Sequence, residues 1–335
     1  MCIQKFLICA VYSVWLLLLL SAILIGNAPA EVPDEPTIAF ATDVRKGVGI
    51  WFMTPEGENP RLVLEVGEDS LPSGLTWSFN GKQIAFHAEL EGNIDVYVVD
   101  ARGENLSRLT DHPGEDSWAA WHPEGERLAF STNRDGNLEI YAMTSSGEAL
   151  ENITNDSVQD QYPSWSPDGR TIAFASKRGK TLGDIFVMDA SGENVRNLTN
   201  VRGEDIQPKW SRDGNRIAWT SRRNGAGEIW SMEADGANPM KISDLQDPRA
   251  PGVRNRDVTW APDGGRIAST AFGQGGVINI RIHPSDGNLE WQDLPAVGGE
   301  DRSPAWFDPT FVGAFSVSAA EKQPLTWGWL KLAGR

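Results

Sequence analysis

Six aspartates recur near the joins between repeated segments of this chain: Asp69, Asp116, Asp160, Asp205, Asp257 and Asp301. Four of them, Asp116, Asp160, Asp205 and Asp301, stand five residues before a tryptophan. Carboxylates that converge from several loops can hold a hard cation, and the same charges can receive a basic peptide. A second set of loops is basic: Arg45 and Lys46, Arg134, Lys177 with Arg178 and Lys180, and Arg222 with Arg223. Two readings of this pattern stand side by side. In one, a charged rim built around Asp69, Asp116, Asp160, Asp205, Asp257 and Asp301, with Lys177, Arg178 and Arg222, contacts a partner or a metal ion. In the other, each aspartate caps a turn and pairs with a nearby arginine, because a feature present in every repeat serves architecture first.

The other chemical candidates are fewer. His87 ends one apolar run and His112 lies in the following acidic loop. Imidazole beside carboxylate is transition-metal chemistry, but two histidines without tight spacing make a thin ligand set. No metal or other cofactor is therefore expected, with His87 and His112 the only histidines to watch. His122 and His283 are expected on the opposite face, in solvent. Nucleophilic catalysis has no support, since the chain carries no G-x-S-x-G motif. Both cysteines, Cys2 and Cys9, fall in an N-terminal leader.

The elements that position these residues come from a repeat. The stretch 163–199 reads as four short apolar runs, PSWS, TIAFAS, DIFVMD and RNLT, separated by Asp-Gly, Lys/Arg/Gly and Ser-Gly punctuation. Runs this short, rich in Ile, Val, Phe, Trp and Thr and bounded by Gly, Pro, Asn and Asp, are strands. Five units carry all four runs, with Trp77, Trp121, Trp165, Trp210 and Trp260 in the first run of each. A further first run contains Trp306, and the N-terminal segment from Thr37 supplies the three other runs, IAF, IWFM and RLVL. The tryptophan spacings are 44, 44, 45, 50 and 46 residues, the length of one propeller blade. In TIAFAS the large Ile172 and Phe174 share one face and the small Ala173 and Ala175 the other, by the two-residue period of a strand. A large face can then pack on a small one. The chain is expected to be all-β, a six-bladed propeller of four-stranded antiparallel blades. Its ring would be closed by pairing the N- and C-terminal strands, which removes exposed sheet edges. Leu325 to Leu332 reads as one more strand, so a seventh blade is the less favoured alternative. The six repeated tryptophans are expected to pack between blades, while Trp118, Trp291, Trp327 and Trp329 fall outside the pattern and are candidates for a contact surface.

W-S-P-D-G-(R/K)-x-I-A-F, followed by I-(Y/F)-V-M-D-A-x-G-x-N and R-x-L-T, resembles the TolB-type β-propeller repeat. The resemblance runs from about Thr37 to Phe307 and implies the fold more than any activity. The N-terminal α/β domain that TolB itself carries is not expected here, so a role like TolB's own is not implied. Some lyases on similar propellers use a His-rich metal site, which makes a metal-dependent polyuronate lyase, or a carbohydrate-binding propeller, the alternative function.

Composition narrows the rest. A formal net charge of −16 argues against nucleic acid or an anionic membrane surface as partner. Residues 1–30 combine Lys5, a Leu-rich uncharged run and Ala28-Pro29-Ala30, which reads as a cleavable signal peptide, with an uncleaved anchor as the alternative. Residues 31–36 are a linker and 37–335 the propeller. The expected function is a secreted or periplasmic, non-catalytic binding module or interaction scaffold. Its partner would be another protein or a polymer of the cell envelope or extracellular space, and membrane contact would come only through the leader.

Overall fold

The computed structural model of the chain describes residues 32–44, 47–67, 70–179, 182–225, 227–243, 253–273 and 278–311. The leader, Arg45, Lys46, Asp69, Lys180, Trp327, Trp329 and the segment offered for a seventh blade lie outside the described residues.

From Val32 onward the described residues form six four-stranded antiparallel sheets. Blades 1 to 5 are consecutive in sequence, at 73–108, 116–152, 160–197, 205–241 and 254–293. The sixth joins the chain's two ends: Arg302–Phe307 pairs with Thr37–Val44, which continues to Gly47–Met53 and Arg61–Glu65. Its register sets Ile38 opposite Trp306 and Ala39 opposite Ala305. Six blades and mixed closure agree with the repeat count.

Side-chain size explains how the blades stack. Ile172, Phe174, Phe186 and Met188 of blade 3 pack with Trp165 against Ala120, Ala129 and Ala142 of blade 2. The opposite, small face of blade 3 (Ala173, Ala175, Ile185, Val187) receives Ile206, Ile217, Trp219 and Met232 of blade 4. Large against small lets twisted sheets fill the space without voids.

Two polar devices hold the outer strands. The Thr of R-x-L-T satisfies the backbone of the third strand: Val96, Ile140 and Ile185 N–H groups donate to Thr110, Thr154 and Thr199 Oγ1 at 3.0, 2.9 and 3.0 Å. Each threonine hydroxyl donates in turn to an acidic residue at or near the start of that strand, Asp95, Glu139 and Asp184. The glycine of the third-to-fourth turn is needed for two reasons. Gly103 has φ +81°, and a Cβ there would sit 1.9 Å from the Val63 carbonyl oxygen of the closing blade. Only glycine permits both.

Candidate functional site

Three aspartates of the predicted charged rim are engaged in ion pairs within single blades. Asp116, Asp160 and Asp205 open the first strands of blades 2, 3 and 4 and are fully buried. Each meets an arginine from the second-to-third-strand loop of its own blade. Arg134 reaches both Asp116 oxygens at 3.1 and 3.0 Å. Arg178 reaches Asp160 at 3.3 and 2.5 Å, and Arg223 reaches Asp205 at 3.0 Å. Arg222 pairs with Glu204, and Lys177 donates to Gln159 at 2.6 Å. Asp301 is buried and accepts from the Val297 N–H at 3.0 Å. Asp257 is placed apart from this set, two residues further along its strand than the rim position, which Asn255 takes in blade 5.

The histidines do not converge. His112 Nδ1 accepts from Gly114 N at 2.9 Å, and His87 Nδ1 from Trp118 N at 3.3 Å. Burial pushes the His87 imidazole down to about 4, so it is a neutral acceptor. Among the described residues no group of three or more His, Cys, Asp or Glu is arranged to hold a metal ion. His122 stacks edge-on against Trp165 with ring centroids 4.8 Å apart. His283 differs from the solvated position expected for it. It is 1% exposed and its Nε2 lies 3.1 Å from Ser269 Oγ. It shares its sheet face with Arg281 and Ser269, and at this burial a charge on the ring would have no solvent.

Burial, reinforced by Arg281, pulls the His283 imidazole from 6.5 to about 3. Below pH 6.5 the unfolded chain takes up a proton that the folded chain refuses. Stability from this group is therefore complete above pH 6.5 and falls as pH drops toward 3. The expected loss between pH 7 and pH 5 is about 2 kcal/mol. Denaturation at the two pH values checks it: His283→Asn should flatten the decline by that amount, and an unchanged decline would refute the assignment.

The channel between the first strands holds what the sequence did not announce. Three residues before each repeated tryptophan, every first strand carries one residue in the left-handed region: Gly74 (φ 61°), Trp118 (55°), Tyr162 (60°), Gln207 (55°), Asp257 (52°) and Ser303 (51°). Each lies within a break of the pairing register, the mark of a β-bulge. Five of the six are not glycine, so each holds strain of order 1 kcal/mol or more. Groups from the preceding blade hold five of these backbone N–H groups. Trp118 N donates to His87 Nδ1, Tyr162 N to Ser131 Oγ, Asp257 N to Gln207 Oε1, Ser303 N to Thr270 Oγ1 and Gly74 N to Ser303 Oγ. The bulge is common to all blades; the side chain it presents differs in each.

Below this ring is a cavity of about 160 Å³. Trp118 and Tyr162 form one wall, their rings 4.9 Å apart edge to face. Lys209 of the next blade also lines it, at a position taken by Thr76, Ala120, Ser164, Thr259 and Ala305 in the other blades. Burial brings the Lys209 ammonium down to about 8, with Asp257 pulling the other way. Asp257 accepts from Gln207 Nε2 at 2.7 Å and Thr270 Oγ1 at 3.0 Å, and burial raises its carboxyl. At the turn end Arg212 crosses from blade 4, its Nη2 donating to the Phe311 carbonyl at 2.7 Å and to that of Phe79 at 3.4 Å. A concave, aromatic-walled space with a few converging polar groups is the usual form of a ligand site.

Of the sequence candidates, Trp118, Asp257 and the six repeated tryptophans line this cavity, and Lys209, Tyr162, Gln207 and Arg212 were missed. Part of the signal was present: aligned on their tryptophans, the units carry a different residue three positions earlier in every blade, and Lys209 is the one charged residue at the position immediately before the tryptophan. The tryptophans Trp77, Trp121, Trp165, Trp260 and Trp306 are buried and Trp210 half-buried. Trp291 lies under Arg281, whose guanidinium carbon is 3.7 Å from its ring centroid.

The family model described as the TolB beta propeller domain matches residues 28–183 and 153–326. Among solved structures the chain is similar to TolB from Acinetobacter baumannii, with 23% identity and a TM-score of 0.68 over 81% of this chain and 66% of that one. A putative TolB from Agrobacterium tumefaciens is similar at 20% identity and a TM-score of 0.63, over 80% and 91% of the two chains. Hydrazine synthase from Kuenenia stuttgartiensis shares the fold at 14% identity and a TM-score of 0.67, over 84% of this chain and 48% of that one. The chain thus spans just under two thirds of the Acinetobacter protein, and at these identities the likeness is one of fold. No curated protein matches in sequence.

Proposed function

Because the chain belongs to the TolB beta propeller domain family, we propose that it works as a secreted or periplasmic binding module, without catalysis, whose partner docks at the central channel. The observation that carries this reading is the bulge ring. Its backbone is the same in all six blades, while its side chains are Gly, Trp, Tyr, Gln, Asp and Ser. Architecture alone needs the bulge; it does not need six different side chains around a cavity. In blades 2, 3 and 4 the rim arginines and aspartates support the ring from outside, since their charges are already paired within the blade. The partner is a segment of another protein, consistent with a mouth walled by Trp118 and Tyr162, residue types that dominate protein-binding hot spots. The leader in residues 1–30 directs the chain out of the cytoplasm and leaves Glu31 as the mature N-terminus.

The test is capture from an envelope extract by the purified mature chain, whose N-terminal sequence is read first and should begin at Glu31. Trp118→Ala with Tyr162→Ala should lose the captured partner while keeping the thermal transition. Arg134→Lys, a change in the rim, should retain it. An identical set of partners for the wild-type and ring variants would overturn the channel reading.

A further inference from the structure

Two cationic side chains in the channel keep unmet hydrogen-bonding capacity, beside the buried indole N–H groups of Trp121, Trp165 and Trp210. Three charged side chains line the cavity: Lys209, Arg212 and Asp257. Both Asp257 oxygens are engaged, one by Gln207 and the other by Thr270. The Lys209 ammonium has no hydrogen-bond or ion-pair partner among the described residues, its one charged influence being Asp257. Arg212 uses Nη2 on two carbonyls, but its Nε is buried without an acceptor. Buried donors are normally satisfied, and an exception asks what satisfies it. Here the buried exception is the Arg212 Nε, while the half-buried Lys209 brings an unpartnered ammonium to the lining of the same cavity, in a chain whose formal net charge is −16.

We propose that this cavity is a carboxylate-binding site, in which one carboxylate on an apolar stem accepts from Lys209 Nζ while the stem lies along Trp118 and Tyr162. This deepens the channel reading given above and rests on it. Arg212 adds positive potential at the turn end. A single negative charge is specified, because Asp257 in the same lining repels the second charge of a phosphate or sulfate. Size agrees: about 160 Å³ is close to engineered cavities of about 150 Å³ that admit benzene. The site is therefore large enough for the end of a chain or an aromatic acid, and too small for a polymer to pass into. A carboxylate of this kind comes either from a free aromatic acid or from the C-terminus of a peptide.

Titration calorimetry with phenylacetate, inorganic phosphate, and the tripeptide Gly-Gly-Phe in free and amidated form tests the proposal. Phenylacetate or the free tripeptide should bind, with phosphate at least about tenfold weaker, a difference of about 1.4 kcal/mol. A free tripeptide that outbinds phenylacetate and loses affinity on amidation identifies the C-terminus of a partner as the source. Phenylacetate binding at least as well identifies a free acid. Lys209→Met should weaken either ligand by about tenfold or more, without lowering the melting temperature, because it removes a desolvated charge. Should that variant fail to fold, acetylation of Lys209 in the wild-type chain provides the second readout: bound phenylacetate should slow it about fivefold or more, through loss of access. Silence with both carboxylates, equal binding of phosphate, unchanged binding by Lys209→Met or unprotected acetylation would each sink the carboxylate site. If calorimetry is silent while the ring variant still loses its captured partner, this inference fails and the channel reading stands. If the ring variant also keeps its partner, both fail.

Discussion

Asp160→Ala is expected to lower folding stability by about 3–5 kcal/mol, the cost of removing one member of a buried ion pair. Asp160 is fully buried and Arg178 approaches it at 2.5 Å with a side chain 19% exposed. Burial raises the Asp160 carboxyl even with Arg178 beside it, so desolvation outweighs the attraction and the pair adds little over an apolar substitute. Removing one partner is different. The guanidinium then keeps only Asp156, at 3.6 Å and 35% exposed. Part of the loss should return in the double variant Asp160→Ala with Arg178→Met, which deletes both charges and can be compared by a double-mutant cycle. Chemical denaturation of the wild type and three variants measures it. A single-variant loss below about 1 kcal/mol, the range of exposed pairs, would mean that these rim charges are open to a partner after all.

Trp77→Ala should cost about 3–5 kcal/mol, the range for deleting a large buried aromatic. The position is sharper than that range implies, because Trp77 sits where the ring closes. Its ring lies between Phe52, contributed by the N-terminal part of the closing blade, and Phe307, contributed by the C-terminal part, at centroid distances of 5.1 and 5.2 Å. Its indole N–H donates to the Ala305 carbonyl at 3.1 Å. One side chain therefore ties blade 1 to both halves of a blade assembled from the two ends of the chain. Loss of that contact should also speed hydrogen exchange along Arg302–Phe307 and Thr37–Val44 more than in blade 3. Uniform protection across the blades, or a loss under about 1 kcal/mol, would show that closure does not depend on it.

How much could be read from the residues varied with how local the cause was. The strands, blade boundaries and mixed closure were legible because each unit repeats its turn glycines and its large-and-small alternation, as in Ile172-Ala173-Phe174-Ala175. The acidic and basic loops were legible as residues. Their partners were not: Asp116 and Arg134 are eighteen positions apart and meet only when two strands pair. His283 was misplaced because its buried face follows from the neighbouring sheet, which no local pattern reveals. The channel ring was the hardest to see. Its backbone conformation is unfavourable for Trp, Tyr and Gln, and local preference points away from it; the bulge exists because the preceding blade supplies acceptors such as His87 and Ser131.

By itself the sequence determined the blade: its four strands, its turns, its period of 44 to 50 residues and its membership in a six-unit ring. These follow from short-range chemistry, the period of a strand and the backbone freedom of glycine. The tertiary structure alone decided the site. It paired the rim charges within blades and brought Lys209, Asp257, Trp118 and Tyr162 from four different blades around one cavity. The reason is geometric. Residues about 45 positions apart become neighbours only when the ring closes, so the cavity is a property of closure and of no single repeat.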